Sequence, residues 1–148
     1  MLDFQCILVP YDGSSHAMEA LKKAVSLARE GRKTKLIILS VCNMVSAMSP
    51  MDQVYLSPSS MGQFTEELEE QCRRDLDEAK TKIPEGIFCE TEMEIGSPGP
   101  VIISLAQKHK ADLIVLGSRG LGALKGILMG SVSSYVVKNA TCPVLVVK

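Results

Sequence analysis

A chain of 148 residues fits one domain, long enough to bury roughly 70% of its unfolded surface around a single core and too short for a separate catalytic domain. Its formal net charge of -1 offers none of the basic footprint that nucleic-acid binding requires, so small molecules and proteins are the expected partners. The five cysteines, Cys6, Cys42, Cys72, Cys89 and Cys142, form no C-x2-C pair and stand with only two histidines, which argues against a disulfide framework or a zinc site.

The N-terminus carries Asp3 and only a short apolar run before Pro10, unlike the basic and long apolar regions of a signal peptide. No run approaches the roughly 18 apolar residues of a membrane span. A reduced, cytoplasmic protein is expected. Gln5 to Val9 is a short, β-branched apolar run halted by Pro10 and reads as a buried strand. From Ser14 or Ser15 to Arg29, Ala17, Ala20, Leu21, Ala24, Val25 and Ala28 recur at three and four. This spacing predicts an amphipathic helix capped by serine and stopped by Gly31.

Lys35 to Val41 repeats the apolar run as a second buried strand. Residues 43 to 62 hold Met44, Met48, Met51 and Met61 among Ser, Pro and Gly without sustained periodicity, and are expected to form a long connection. Ser60 with Gln63 offers a capping box for a helix whose inner face is Phe64, Leu68, Cys72, Leu76, Ala79 and Ile83. Residues 87 to 95 alternate, with Ile87, Cys89, Thr91, Met93 and Ile95 on one side and Phe88, Glu90, Glu92 and Glu94 on the other. Three acids on one face mark a strand covered on one side only, hence a sheet edge. Ser97-Pro98 starts a third helix, Leu113 to Leu116 is a fourth strand, Ser131 to Lys138 a fourth helix and Val144 to Val147 a fifth strand. Strict alternation of strands and helices implies parallel strands joined by right-handed crossovers, a doubly wound α/β sandwich.

Between the fourth strand and the fourth helix, Gly117, Gly120, Gly130 and Ser131 set the spacing G-x2-G-x9-G-S. Glycines there let backbone N–H groups turn toward an anion without Cβ obstruction, and a helix N-terminus adds unpaired N–H groups and partial positive charge. That is phosphate-binding chemistry. Together with the opening Ile7-Leu8-Val9-Pro10-Tyr11-Asp12-Gly13-Ser14 and the closing Cys142-Pro143-Val144-Leu145-Val146-Val147, this pattern resembles the universal stress protein family along its whole length, and its complete glycine set resembles the branch that binds ATP.

The resemblance, with the acidic edge, implies the strand order 3-2-1-4-5 and a ligand site at the switch point between strands 1 and 4, outside the strand C-termini. It implies further that the backbone from Gly117 through Ser118 and Arg119 to Gly120, with Gly130, Ser131, Val132 and Ser133, holds the phosphates. The Ser131 and Ser133 hydroxyls would act as added donors, and Arg119 and Lys125 would neutralise charge. Asp12 is expected to accept hydrogen bonds from the ribose, and Pro10 and Val41 to contact adenine. His16 and His109 show no partner at a readable spacing, and solvated or capping roles are expected for both.

Other chemistries fail on residues. G-x4-G-K-[ST] is absent, G-x-G-x-x-G and the ribose acid of a dinucleotide binder are absent, G-x-S-x-G is absent, and the paired acids of a receiver domain are absent. The expectation is an ATP-binding, nucleotide-responsive regulator of the stress response, with Mg2+ or Mn2+ bridging the phosphates, a homodimer through strand 5 and a signalling partner the residues do not name. The alternatives are a weak or partner-stimulated ATPase or phosphotransfer protein, and a ligand-free dimeric interaction module.

Overall fold

In the computed structural model, which describes residues 3–48, 51, 57–120 and 129–148, strands and helices follow the expected alternation. They are β1 (Cys6–Pro10), α1 (Ser15–Glu30), β2 (Lys35–Cys42), α2 (Met44–Ala47), α3 (Pro58–Thr81), β3 (Phe88–Ile95), α4 (Pro98–Lys108), β4 (Leu113–Gly117), α5 (Ser131–Asn139) and β5 (Val144–Val147). The five strands form one parallel sheet in the order β3-β2-β1-β4-β5, as the sequence implies.

Strand periodicity explains how one sheet supports two cores. Ile7, Val9, Leu36, Ile38, Leu113 and Val115 point to one face, where Ala17, Ala20, Leu21, Ala24 and Ala28 of α1 and Leu76 and Ala79 of α3 cover them. Their chain neighbours Leu8, Ile37, Leu39, Ile114 and Leu116 point to the other, under Ile102, Leu105 and Ala106 of α4 and Val136 of α5. Because β1, β2 and β4 are covered twice, every position must be apolar, which is why these strands read as unbroken hydrophobic runs. Alanines on α1 let that helix lie close to the sheet. At the entrance of β1, the Asp112 carboxylate accepts from Gln5 N–H (2.8 Å) and Cys6 N–H (3.0 Å) and pins β1 to the chain entering β4.

Two expectations are corrected in the segment after β2. Residues 44–47 form the short helix α2, although residues 49–50 and 52–56 of the expected connection lie outside the described residues. The helix expected to start at Ser60 starts earlier: the Ser57 hydroxyl accepts from Ser60 N–H (3.2 Å). Pro58 in the first turn has no N–H to leave unpaired and a φ already suited to a helix, so it moves the start upstream.

The acidic face of β3 is also less open than the alternation suggests. Glu90, Glu92 and Glu94 pair in register with Ile37, Leu39 and Val41, so they share the face covered by α4. There Glu92 Oε1 lies 2.5 Å from Nε2 of His109, the C-cap of α4, in a close polar contact rather than an aligned hydrogen bond. Ile95, expected on the covered side, is exposed.

Burial sets a contrast that unfolding can measure. Ile38 is fully buried on the central sheet whereas Leu145 of β5 is 37% exposed. Ile38→Ala should lower the unfolding free energy by about 2–5 kcal/mol, and Leu145→Ala by less than about 1 kcal/mol. Urea midpoints with unchanged m-values would register both.

Candidate functional site

β1 and β4 are neighbours at the centre of the sheet, but the chain leaves them toward opposite faces, into α1 over one core and α5 over the other. The crevice so opened lies beyond the strand C-termini. On the β1 side, Tyr11 N–H extends the pairing with Leu39 O (2.8 Å). The Asp12 Oδ1 then accepts from Ser14 N–H (3.0 Å), and the Ser14 hydroxyl from Ala17 N–H (3.1 Å). Gly13, at φ +82, makes the intervening turn. This short relay delivers the chain from strand to helix within four residues and fixes the Asp12 carboxylate at the crevice.

On the β4 side, Ser118 is the hinge. Its N–H donates to Val147 O (2.7 Å), and its carbonyl accepts from Gly130 N–H (2.6 Å) and the Ser133 hydroxyl (2.7 Å). Residues 118 and 130 are thereby brought side by side and α5 starts at the crevice. Ser133 also reaches Gly130 O (3.1 Å) and is 2% exposed. A hydroxyl has one proton to give, and Ser133 gives it within the fold, holding the first turn of α5 on the end of β4. Ser131 is exposed, and Val132 packs on the core beneath α5.

The glycines of the motif have different surroundings. A Cβ on residue 117 would stand 2.8 Å from the carbonyl carbon and Cβ of His16, so Gly117 is where α1 rests on β4. A Cβ on residue 120 would stand 2.5 Å from Asp12 Oδ2, which places Gly120 against the other carboxylate oxygen. Gly130 is different. Its φ is -76, and a Cβ there would meet nothing nearer than 3.6 Å. It caps α5 without a side-chain hydrogen bond, at a position where Ser, Asp or Asn would serve the helix better. Nothing among the described residues requires this glycine. Pro10 and Val41 stand at or near the C-terminal ends of β1 and β2, both half-buried; Lys125 lies outside the described residues.

With this geometry in view, comparison with known proteins is decisive. A family model described as the universal stress protein family matches residues 3–148. The chain belongs to the universal stress protein family. It is similar to universal stress protein MJ0531 of Methanocaldococcus jannaschii, 36% identical over 148 residues, covering 98% of this chain and 82% of that protein. It is likewise similar to universal stress protein YxiE of Bacillus subtilis, 36% identical over 148 residues and covering 98% and 99%. Among solved structures, UspA from Lactobacillus plantarum superposes with a TM-score of 0.83 at 28% identity over 100% of both chains. A family protein from Arabidopsis thaliana, with AMP bound, shares the fold with a TM-score of 0.68 at 23% identity over 97% of this chain and 91% of that one.

Sequence reasoning missed two features of this universal stress protein at the crevice. His16 and Arg119 meet, Nε2 to Nη2 3.4 Å apart. Beneath the Asp12 turn, Asp75 of α3 comes within 3.1 Å of where a Gly13 Cβ would stand, accepts from Gln71 Nε2 (3.0 Å) and has its carboxyl pushed up by burial. The Tyr11 hydroxyl is 2% exposed as a residue and has no aligned hydrogen-bond partner among the described residues. Burial, then the negative charges of Glu78 and Asp75, push it up to about 12. His16 and Arg119, and likewise the Asp12 turn and Asp75, are remote in sequence, so no local signal announces their meeting.

Two outcomes follow from this packing. Gly117→Ala should cost about 1–3 kcal/mol by overpacking against α1, whereas Gly130→Ser should stay within about 0.5 kcal/mol of the parent in urea unfolding. For Tyr11, the folded pKa lies above the ordinary value of 10.0, so its contribution is intact below that value and is lost as pH rises toward about 12. Tyr11→Phe should therefore flatten the decline in stability between pH values of about 10 and 12.

Proposed function

We propose that this protein is an ATP-binding, nucleotide-responsive regulator of the stress response in the cytoplasm, acting by binding rather than by turnover. The observation that carries the reading is Gly130: it has room for a side chain, needs no positive φ and forgoes a better helix cap, and it opens α5 onto the crevice. A ligand that approaches the backbone closely accounts for all three. The first-turn N–H groups of α5 and the backbone of Gly117, Ser118, Arg119 and Gly120 would then hold the phosphates, with the Ser131 hydroxyl as a further donor. Asp12 would take the ribose hydroxyls, and Pro10 and Val41 would flank adenine. An AMP-bound relative of the same fold supports adenine nucleotides as the ligand class.

Among the described residues no three His, Cys, Asp or Glu side chains are grouped to hold a metal ion. A Mg2+ or Mn2+ would accordingly enter with the triphosphate as its main ligand, offsetting charge in a partly desolvated cleft. Support for binding over catalysis comes from the groups at the crevice. Asp12 Oδ1 accepts from the Ser14 backbone and His16 is taken up by Arg119, so each has a positioning task.

Calorimetry tests the reading directly. Gly130→Val should remain folded and lose ATP binding, and Asp12→Ala should weaken ATP by about 1–3 kcal/mol while leaving inorganic triphosphate nearly unaffected. A folded Gly130→Val protein with parental affinity would overturn the phosphate assignment.

We further propose that two copies pair through β5. Ile114 N–H and Ser118 N–H donate to Pro143 O and Val147 O. In a parallel ladder every second residue faces the same neighbour, so residues 143, 145 and 147 face β4 while Val144 and Val146 present N–H and C=O outward. Leu145, Tyr135 and Val137 are exposed nearby in sequence and fold. An antiparallel β5 to β5 contact about a two-fold axis would satisfy that edge. Val146→Pro deletes an outward donor without touching the β4 ladder, and light scattering should report a shift from dimer to monomer.

A further inference from the structure

Arg119 and His16 are 103 positions apart, and their side chains meet at the crevice with Nη2 and Nε2 3.4 Å apart. A guanidinium carries donors only and stays charged, so the imidazole must offer a lone pair at Nε2. A hydrogen bond of this kind has the imidazole proton on Nδ1. The meeting is not an accident of two surface rotamers. His16 lies in the first turn of α1, and that turn is seated against β4 at the place where residue 117 has no side chain. Arg119 follows two residues later, beside the Ser118 carbonyl that anchors α5. Backbone packing thus fixes where both side chains originate.

We infer that His16 is a positioning residue that holds the Arg119 guanidinium at the mouth of the phosphate cradle, so that Arg119 recognises the phosphate charge of a bound nucleotide. This rests on the nucleotide reading above and deepens it by assigning phosphate recognition to a side-chain pair. A free arginine would lose considerable rotamer freedom on meeting an anion. One already tethered loses less. At 3.4 Å the tether is at the loose end of the hydrogen-bond range, which lets the guanidinium turn a different N–H to a phosphate oxygen while His16 keeps its contact. The five N–H donors of arginine permit both at once. A nucleoside without phosphate gains nothing from the pair, so the effect is specific to phosphorylated ligands.

The test joins a ligand-independent signature to a binding cycle on the full chain. In 15N-histidine spectra His16 should show the Nδ1–H tautomer, and Arg119→Ala should abolish that preference. In calorimetry, His16→Ala and Arg119→Ala should each weaken ATP roughly tenfold and leave adenosine unchanged. The double variant should bind no worse than Arg119→Ala alone. His16→Gln, which offers an acceptor at a similar reach and keeps the turn filled should His16→Ala fail to fold, should recover part of the loss. A tautomer unmoved by Arg119→Ala, or additive losses in the double variant, would overturn the positioning role while leaving ATP binding intact. A parent that binds neither ATP nor adenosine would instead overturn the nucleotide reading, and phosphate recognition by Arg119 with it.

Discussion

At residue 117 the last turn of β4 and the first turn of α1 come so close that no side chain fits between them. That contact governs the geometry of the crevice. It fixes the depth of α1 over the sheet and with it the Asp12–Ser14 relay and the place of His16. One residue later, the Ser118 carbonyl gathers Gly130 N–H and the Ser133 hydroxyl and brings in α5 from the opposite face. Two helix N-termini, one from each layer, are thereby directed toward the same gap. Each supplies first-turn N–H groups and a partial positive charge, so a chain whose net charge is -1 still aims two positive dipole ends at one gap. Net charge describes the surface as a whole, whereas anion binding depends on where a few dipoles converge.

The fold was legible because its strongest constraint is local and repeated. Strands buried on both faces must be apolar throughout, and helices facing a sheet must be apolar at three and four, so the elements declare themselves one by one. What escaped was set by effects shorter or longer than a period. Four residues of α2 make too few turns for periodicity to register. The start of α3 escaped because Ser57 can cap a helix as well as Ser60. Pro58 decides among them, since its fixed φ suits the first turn and no interior turn.

The site was legible at the level of the motif and not at the level of each residue's task. G-x2-G-x9-G-S identifies where phosphate chemistry is plausible, but its glycines are there for different reasons. Gly117 makes room for α1, Gly120 makes room for the Asp12 carboxylate, and Gly130 makes room for nothing among the described residues. Ser133 has the composition of a phosphate donor and the burial of a structural latch. His109 and Glu92, and likewise His16 and Arg119, become partners only when the sheet order brings distant segments together. Spacing along the chain cannot reveal a pair that topology creates.

The two edges of the sheet extend the same logic to assembly. β3 meets solvent with glutamates, one bridged to Lys35 at 2.9 Å and one held to His109 at the end of α4. A strand adding to that edge would place its side chains beside those charges, and such edges resist further pairing. β5 carries no charged residue between Val144 and Val147, and every second backbone unit there faces outward. A sheet with one refused edge and one receptive edge can add a partner in one direction only. In the proposed pair the receptive edges are consumed against each other, both outer edges are β3, and growth stops at two copies. The glutamates of β3, which have no part in the crevice, would thus make the association closed instead of fibrillar.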